Sequence, residues 1–146
     1  MRLSVTVPIQ RPAAHVFAFL ANFENSPRWQ RGMQSSRWLT EAPVGVGSRY
    51  AQTARQLGHE FTSTFEVLEY EPGRRVKVAS VDSTLPITVT RTVTPDGPAR
   101  CQVEAVIEGA PTGVFRAASP MLRRKAQRAV RRDYKRLKRI LERDRV

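Results

Sequence analysis

The sequence has one cysteine, two histidines and no long apolar segment. A lone Cys101 excludes an intramolecular disulfide and a cysteine-rich metal site. No apolar run approaches the roughly 20 residues that cross a bilayer, and the first residues alternate like a strand instead of forming a signal peptide. With an ordinary composition, 40% hydrophobic and 26% charged residues, these absences predict a single soluble, cytoplasmic domain over residues 1–146.

Motifs of common catalytic and cofactor sites are also missing. The chain has no metal-ligand spacing, no nucleophile elbow, no phosphate-cradling glycine-rich loop and no pair of carboxylates at catalytic spacing. Cys101 lies in an alternating apolar segment, which indicates a small buried side chain instead of a nucleophile. We therefore predict no metal and no cofactor.

Glycine and proline are absent after Pro120, and the segment Ser119 to Asp144 is predicted to form one helix. Ser119 is the expected N-cap, and Pro120 occupies the first helical position. About 25 residues at 1.5 Å each give a rod of nearly 40 Å, which can cross the face of a small domain. Its apolar residues recur every three or four positions and form a single stripe: Met121 or Leu122, Ala126, Val130, Tyr134, Leu137 and Leu141.

Positive charge is concentrated in the same part of the chain. Residues 116–146 carry 13 basic and 3 acidic residues, whereas the rest of the chain carries 12 and 10. A basic amphipathic helix can bind an anionic membrane or a nucleic-acid backbone, or it can pack on the core with a solvated outer face. The residues predicted to bind such a partner are Arg128, Arg131, Arg132 and Arg139.

The rest of the chain has mostly the period of two that is typical of strands. Residues 3–9 alternate as a first strand, and two short helical segments follow, one from Pro12 to about Asn22 and one over residues 23–29. Six further strands are separated by turn residues: Met33 to Thr40, Ser48 to Gln56, Glu60 to Glu69, Arg75 to Val81, Ile87 to Thr94 and Arg100 to Glu108. This order predicts an α+β fold in which a seven-stranded antiparallel sheet curves around the terminal helix.

The inner face of this sheet follows from the alternation, because successive side chains point to opposite faces. Thr88, Thr90, Thr92 and Thr94 take the solvent face. An inner face with few large side chains can leave a hydrophobic cavity between sheet and helix. The predicted inner residues are Phe61, Phe65, Val67, Val76, Val78, Leu85, Ile87, Val89, Val93, Cys101, Val103, Ala105 and Ile107.

Three segments in this order resemble the START-related superfamily called SRPBCC, especially its polyketide cyclase/dehydrase family. They are RPAAHVFAFL at residues 11–20 followed by PRW at 27–29, PVGVGSRY at 43–50, and FEVLEYEPGRR at 65–75. The resemblance implies a helix-grip fold whose sheet wraps the C-terminal helix and encloses a pocket for an apolar or aromatic ligand. Members of that superfamily include cyclases, hydrolases, lipid carriers and hormone receptors, so the shared fold does not settle the activity.

The sequence departs from this family at Arg91, where members usually carry an aromatic residue, and in the strong charge of the terminal helix. Arg91 is in phase with Val89 and Val93, so we expect its guanidinium to point inward. There it binds a carboxylate, phenolate or enolate of a ligand; alternatively it reaches solvent or pairs with a neighbouring acid. Tyr50 and Gln52 share a strand face and are candidates to hydrogen-bond the ligand, although Tyr50 equally fits a core aromatic with its hydroxyl satisfied.

Other candidate residues lie near the expected pocket mouth. His59 and Glu60 begin the longest strand and are candidate acid and base catalysts, or simply part of a polar hairpin. Phe61, Phe65 and Val89 are predicted to line the pocket. A second set is expected to act as gate or pocket wall, or to pack in the core: Phe115, Met121 and Leu122.

Two classes of function therefore stay open at this point. The first is the binding of a small apolar or aromatic, polyketide-like or lipid-like molecule, with cyclase or dehydrase activity as its enzymatic version. The second is an interaction module whose basic helix binds nucleic acid or an anionic membrane. The exposed edge strands of the predicted sheet allow either a monomer or a homodimer.

Overall fold

The computed structural model describes residues 2–56, 58–82, 86–109 and 120–143. It contains three α-helices, α1 (Ala13–Ala21), α2 (Ser26–Trp29) and α3 (Pro120–Arg143), and a 3₁₀ turn at Phe23–Asn25. The seven strands are β1 (Arg2–Ile9), β2 (Met33–Trp38), β3 (Arg49–Gln56), β4 (His59–Glu71), β5 (Arg75–Asp82), β6 (Ile87–Pro95) and β7 (Cys101–Gly109). The predicted α+β helix-grip fold is confirmed. Four positions used in the predictions, Leu85, Phe115, Ser119 and Asp144, lie outside the described residues.

The seven strands form one antiparallel sheet in the order β1-β7-β6-β5-β4-β3-β2. From β2 to β7, strands that are adjacent in the sheet are also consecutive along the chain. The exception is β1, which pairs with the last strand, for example Val5 with Ala105. Val89 pairs with both Val78 and Ile107. The register therefore places the predicted apolar residues of neighbouring strands side by side on the inner face.

Irregular pairing bends the longest strand on either side of its two buried residues, Phe65 and Val67. The register between β4 and β5 shifts between Thr64 and Phe65 and again between Val67 and Glu69. Extra residues of this kind increase the local twist and bend a strand. The bends allow the sheet to curl around α3, and they are not visible in the alternation of the sequence.

The C-terminal half of α3 fills the concave side of the sheet. Tyr134, Leu137 and Leu141 are buried, and Val130 is partly buried. The other end differs from the predicted stripe, because Met121 is 78% exposed. The apolar stripe thus packs over its last three turns, while the first turn projects beyond the core.

Side chains of α3 also cover the free edge of β1. Alternate residues of an edge strand leave backbone groups without a strand partner, and α3 runs beside these groups along the whole strand. The hydrogen bonds are Arg123 Nη2 to Arg2 O (3.4 Å), Gln127 Nε2 to Ser4 O (2.8 Å), Lys138 Nζ to Pro8 O (2.8 Å) and Gln10 N to Glu142 Oε2 (2.8 Å). The helix is therefore fixed to the sheet by polar contacts as well as by its apolar stripe.

We expect Leu137→Ala to lower the free energy of unfolding by about 2–5 kcal/mol, because it empties a fully buried position under the sheet. Urea denaturation followed by circular dichroism measures the change. Leu39→Ala is the matched control, since Leu39 is 50% exposed, and should cost less than about 1 kcal/mol. Equal losses in the two variants would contradict the packing role of α3.

Candidate ligand-binding site

Arg91 lies in the middle of β6 and points into the space between sheet and helix. It is 3% exposed, and its neighbours in the sheet are Val76 of β5 and Ala105 of β7. The small Ala105 side chain leaves room for the guanidinium to extend towards α3. Of the two alternatives for Arg91, burial excludes the one in which it reaches solvent.

Two oxygen atoms accept hydrogen bonds from the Arg91 guanidinium. Nε donates to Tyr134 Oη at 3.1 Å, and Nη1 donates to the carbonyl of Leu20 at 3.2 Å. Leu20 is in the last turn of α1, where carbonyls lack intrahelical partners and the helix dipole is negative. The end of α1 therefore stabilises a positive charge that the sheet itself cannot solvate.

Aromatic rings complete the surroundings of this charge. The guanidinium carbon lies 4.8 Å from the ring centre of Phe23 and 5.0 Å from that of Trp29. Trp29 also meets Tyr134 edge-on at 4.8 Å. These distances are typical of cation–π contacts, which are strongest in buried sites. The short helical segments after β1 thus deliver Leu20, Phe23 and Trp29 to one side of Arg91.

The charge of Arg91 has no acidic partner among the described residues, whose ion pairs all lie elsewhere. A guanidinium carries five N–H donors, and the two hydrogen bonds above use two of them. Within the described parts of the chain, the remaining three have no protein acceptor. A buried charge is costly unless it is paired, so this site is suited to an anion that is not part of the fold.

Tyr50 adds an unused hydroxyl to the same interior. Its ring is stacked between Phe23 at 4.5 Å and Phe65 at 5.4 Å, and Trp38 meets it edge-on. The residue is 2% exposed, yet its hydroxyl forms no hydrogen bond with any residue that the structure describes. Tyr50 therefore packs as a core aromatic, but the alternative that predicted this also expected a satisfied hydroxyl, and the described residues leave that hydroxyl for another partner.

Burial keeps both phenols of the site protonated. Burial raises the pKa of Tyr50 well above its usual value, against the opposing effect of the Arg91 charge. Burial likewise raises the pKa of Tyr134, although the charge and hydrogen bond of Arg91 oppose the shift. Tyr134 accepts from Arg91 and so can donate its own proton elsewhere. Arg91, Tyr134 and Tyr50, here called the Arg91 cluster, thus offer hydrogen-bond donors and no base.

The inner face is buried at one end and half-buried at the other. Phe65, Val67 and Val76 are buried, whereas the predicted lining residues Phe61, Val89 and Gln52 are only half-buried. Gln52 lies two residues from Tyr50 on the same face of β3, and Val89 lies two residues from Arg91 on β6. The Arg91 cluster therefore lies beside the half-buried end of the inner face.

Other predicted site residues lie away from this cluster. His59 and Glu60 are exposed in the hairpin between β3 and β4, where Glu60 forms an ion pair with Arg55 at 3.7 Å. Neither has a hydrogen bond or ion pair with a member of the Arg91 cluster. Met121 and Leu122 are exposed at the start of α3. Their predicted roles stay predictions.

Sequence reasoning missed three groups that surround Arg91: Tyr134, the Leu20 carbonyl and the two rings over the guanidinium. Tyr134 was assigned only to the packing stripe of the terminal helix. Its hydroxyl was the available signal, because a buried phenol needs a hydrogen-bond partner. The Leu20 carbonyl gave no signal in the sequence, since any residue at the end of a helix presents one.

No group of three or more metal-binding side chains occurs in the described parts of the chain. Among the helices that the structure describes, none is both long enough and apolar enough to cross a membrane.

The amino-acid sequence matches a known protein family. Residues 1–142 match the family described as polyketide cyclase / dehydrase and lipid transport. The chain belongs to this family. The predicted resemblance is thus confirmed over nearly the whole length, while no curated protein matches the sequence.

Solved structures similar to this family member share its fold at low sequence identity. The Zhui aromatase/cyclase from Streptomyces sp. R1128 superposes with a TM-score of 0.78 at 16% identity, covering 98% of this chain and 94% of that chain. A START superfamily protein from Mycobacterium smegmatis gives 0.75 at 15% identity, with coverages of 97% and 94%. The di-domain ARO/CYC BexL from the BE-7585A biosynthetic pathway superposes with a TM-score of 0.73 at 18% sequence identity, covering 97% of this chain and 46% of that chain.

The two buried tyrosines predict opposite effects of the same substitution. Tyr134→Phe removes an acceptor from the buried Arg91 charge and should lower the free energy of unfolding by about 1.5–3 kcal/mol. Tyr50→Phe removes a hydroxyl that has no hydrogen-bond partner in the described parts of the chain, and it should leave stability unchanged or raise it. Urea denaturation of both variants tests this contrast. A loss in Tyr50→Phe as large as in Tyr134→Phe would overturn the assignment of partners.

The raised phenol pKa values predict a loss of stability in alkali. The folded chain holds these protons more tightly than the unfolded chain, where the ordinary pKa is 10.0. This stabilisation is therefore complete below pH 10 and is lost as the pH rises above it. Urea denaturation at pH 8 and pH 11 should show a smaller loss in Tyr50→Phe than in the unmodified protein. Identical losses would show that Tyr50 does not contribute.

Proposed function

We propose that this protein binds a small apolar or aromatic molecule through an anionic oxygen held by the Arg91 cluster. The observation that carries the proposal is the buried Arg91 guanidinium, which has two acceptors for its five N–H groups and no ion pair with a carboxylate among the residues that the structure describes. The family to which the chain belongs includes cyclases, dehydrases and lipid transporters by its description. Binding of an apolar ligand between sheet and helix is the property that these activities share.

The donors of the site define the chemical class of the oxygen. Arg91 supplies charge, and Tyr50 and Tyr134 supply neutral hydroxyl groups in an interior largely closed to water. Such preorganised donors stabilise a carboxylate, phenolate or enolate much more strongly than water-exposed donors do. The half-buried side chains of Phe61 and Val89 on the same inner face favour an apolar body attached to that oxygen.

The half-buried end of the inner face gives the ligand its entry. Phe61 and Val89 supply apolar contacts there, and Gln52 supplies a further polar group next to Tyr50. In this proposal Met121 and Leu122 form the outer wall at the start of α3. The ligand then extends from this end towards Arg91 along the inner face of the sheet.

Binding is proposed in preference to catalysis because the Arg91 cluster holds no base. An enolate at Arg91 would be stabilised electrostatically, as a cyclase or dehydrase requires, but a proton must also be moved. His59 and Glu60 remain the sequence-based candidates for that step. They are exposed in a hairpin and form no hydrogen bond or ion pair with the cluster, so the structure supports the anion-binding part of such a reaction only.

A matched pair of ligands tests the role of the charge. We expect the protein to bind 2-naphthoate at least about tenfold more tightly than methyl 2-naphthoate, because the ester lacks the anionic oxygen. Fluorescence titration measures both affinities, and saturation at about 100 times the dissociation constant should add nearly 3 kcal/mol to stability. Arg91→Met should abolish the preference, whereas the exposed control Arg37→Met should keep it.

Tyr50→Phe keeps the test valid if Arg91→Met does not fold. This variant should retain the fold, and its affinity for the acid should fall more than its affinity for the ester. Equal affinities for acid and ester in the unmodified protein would refute the anionic anchor. Binding of neither compound, nor of longer fatty acids and polycyclic phenols, would refute the pocket.

A further inference from the structure

Nine basic side chains on α3 form no ion pair with the acidic residues that the structure describes. The helix carries eleven arginines and lysines, of which Arg123 and Lys138 bind the edge of β1 as described above. The other nine are all exposed and take part in none of the ion pairs of the described chain. These nine residues, here called the basic face, are Arg124, Lys125, Arg128, Arg131, Arg132, Lys135, Arg136, Arg139 and Arg143.

The two acidic residues of α3 do not neutralise this face. Asp133 is partly buried and accepts the backbone N–H of Arg31 at 3.3 Å. Burial raises the pKa of its carboxyl, and the charges of Arg136 and Arg132 on the basic face oppose that shift. Glu142 binds Gln10 and Lys138, both on the side of β1. By the helical repeat of about 100° per residue, Glu142 falls at the same angle as Arg124, so the outward surface of α3 presents positive charge interrupted by this carboxylate near its end.

The helical repeat concentrates this charge. At about 100° per residue, the nine side chains fall within an arc of about 140° opposite the buried stripe. From Arg124 to Arg143 the array extends over nearly 30 Å at about 1.5 Å per residue. Like charges this close together on a helix repel one another and destabilise it. A bound polyanion would reduce this repulsion.

Two arginine-lined grooves border the basic face. A groove of about 440 Å³ near the end of α3 is lined by Arg28, Arg136, Arg139, Ile140 and Arg143. Arg28 comes from α2 and is held over the ring of Phe19 at 5.1 Å. A second groove of about 330 Å³ near the start of α3 is lined by Arg2, Leu3, Ser4, Pro120, Arg123, Arg124 and Gln127. Among the described lining residues of both grooves there is no carboxylate.

We propose that the basic face and these grooves bind the phosphate backbone of double-stranded nucleic acid, without reading its sequence. Seven of the nine residues are arginines, whose planar guanidinium groups match phosphate with two hydrogen bonds. A duplex carries one charge per 1.7 Å along its axis, so it matches a straight, densely charged helix. Phosphate contacts of this kind fix position and carry no sequence information.

The structure favours a duplex over a membrane or a single strand. Helices that lie on membranes insert an apolar face, but the apolar stripe of α3 is buried from Tyr134 to Leu141, and Met121 and Leu122 of the first turn are the large apolar side chains that it exposes. Proteins that bind single strands stack bases on exposed aromatic rings, and the one aromatic residue of α3, Tyr134, is buried. Phosphate contact is the interaction that remains for this surface.

This surface is separate from the proposed ligand site. Tyr134, which contacts Arg91, lies on the opposite side of α3 from the basic face. Neutralising outward arginines leaves Arg91, Tyr50 and Tyr134 in place. Failure of nucleic-acid binding would therefore leave the naphthoate experiment unaffected, and the reverse also holds.

The test is fluorescence anisotropy with a labelled 20-base-pair duplex of mixed sequence, using the full chain over a range of salt. If six of the nine side chains contact phosphates, log K falls against log salt with a slope of about −5, and affinity drops about 10³-fold between 50 and 200 mM salt. The quadruple variant Arg128→Gln, Arg131→Gln, Arg132→Gln, Arg139→Gln should lower this slope by about 3 to 4.

The matched control removes the same charge elsewhere on the surface, in Arg37→Gln, Arg55→Gln, Arg74→Gln, Arg100→Gln, and should change the slope by less than about 1. An equal effect in the control would show that net charge alone attracts the duplex. Tighter binding to a single strand of the same length, or to vesicles containing phosphatidylglycerol, would refute the duplex as partner. Undetectable binding at 50 mM salt would refute the surface altogether.

Discussion

The arrangement of the helices depends on the burial of one guanidinium. Arg91 projects from the centre of the sheet, and every group that stabilises its charge comes from another element: the end of α1, the rings of Phe23 and Trp29, and Tyr134 of α3. An unpaired buried charge costs several kcal/mol. Displacing any of these elements would remove one partner of the Arg91 guanidinium and would therefore destabilise the fold. The same arginine is also what distinguishes this interior from a purely apolar one.

The terminal helix carries two unrelated chemistries on its two sides. Towards the sheet it presents Tyr134, Leu137 and Leu141, and towards solvent it presents the nine residues of the basic face. The narrowness of the apolar stripe leaves most of the circumference available for charge. Attachment to β1 through side chains at both ends holds the helix in one orientation, so the charged side is displayed as a fixed surface.

The sequence predicted the strands, their faces and the inward direction of Arg91, because alternation reports orientation directly. It did not predict which residues of α1, α2 and α3 lie opposite Arg91. The spacing of apolar residues within a helix shows which face packs, but it does not show where along the helix a given strand residue lies. The exposed first turn of α3 has the same origin: Met121 fits the helical repeat but extends beyond the sheet. The bends in β4 were equally hidden, because a register shift is a property of two strands together.

The cover over the free edge of β1 determines how copies of this chain can associate. A second sheet could join at β1 only by displacing the side chains of Arg123, Gln127, Lys138 and Glu142, and Pro8 offers no N–H to a new partner. At the opposite edge, β2 is only six residues long, and its Trp38 N–H already binds the carboxylate of Glu24 at 3.0 Å. Growth of the sheet from molecule to molecule is thus opposed at both ends, which protects a strand-rich protein from edge-to-edge aggregation.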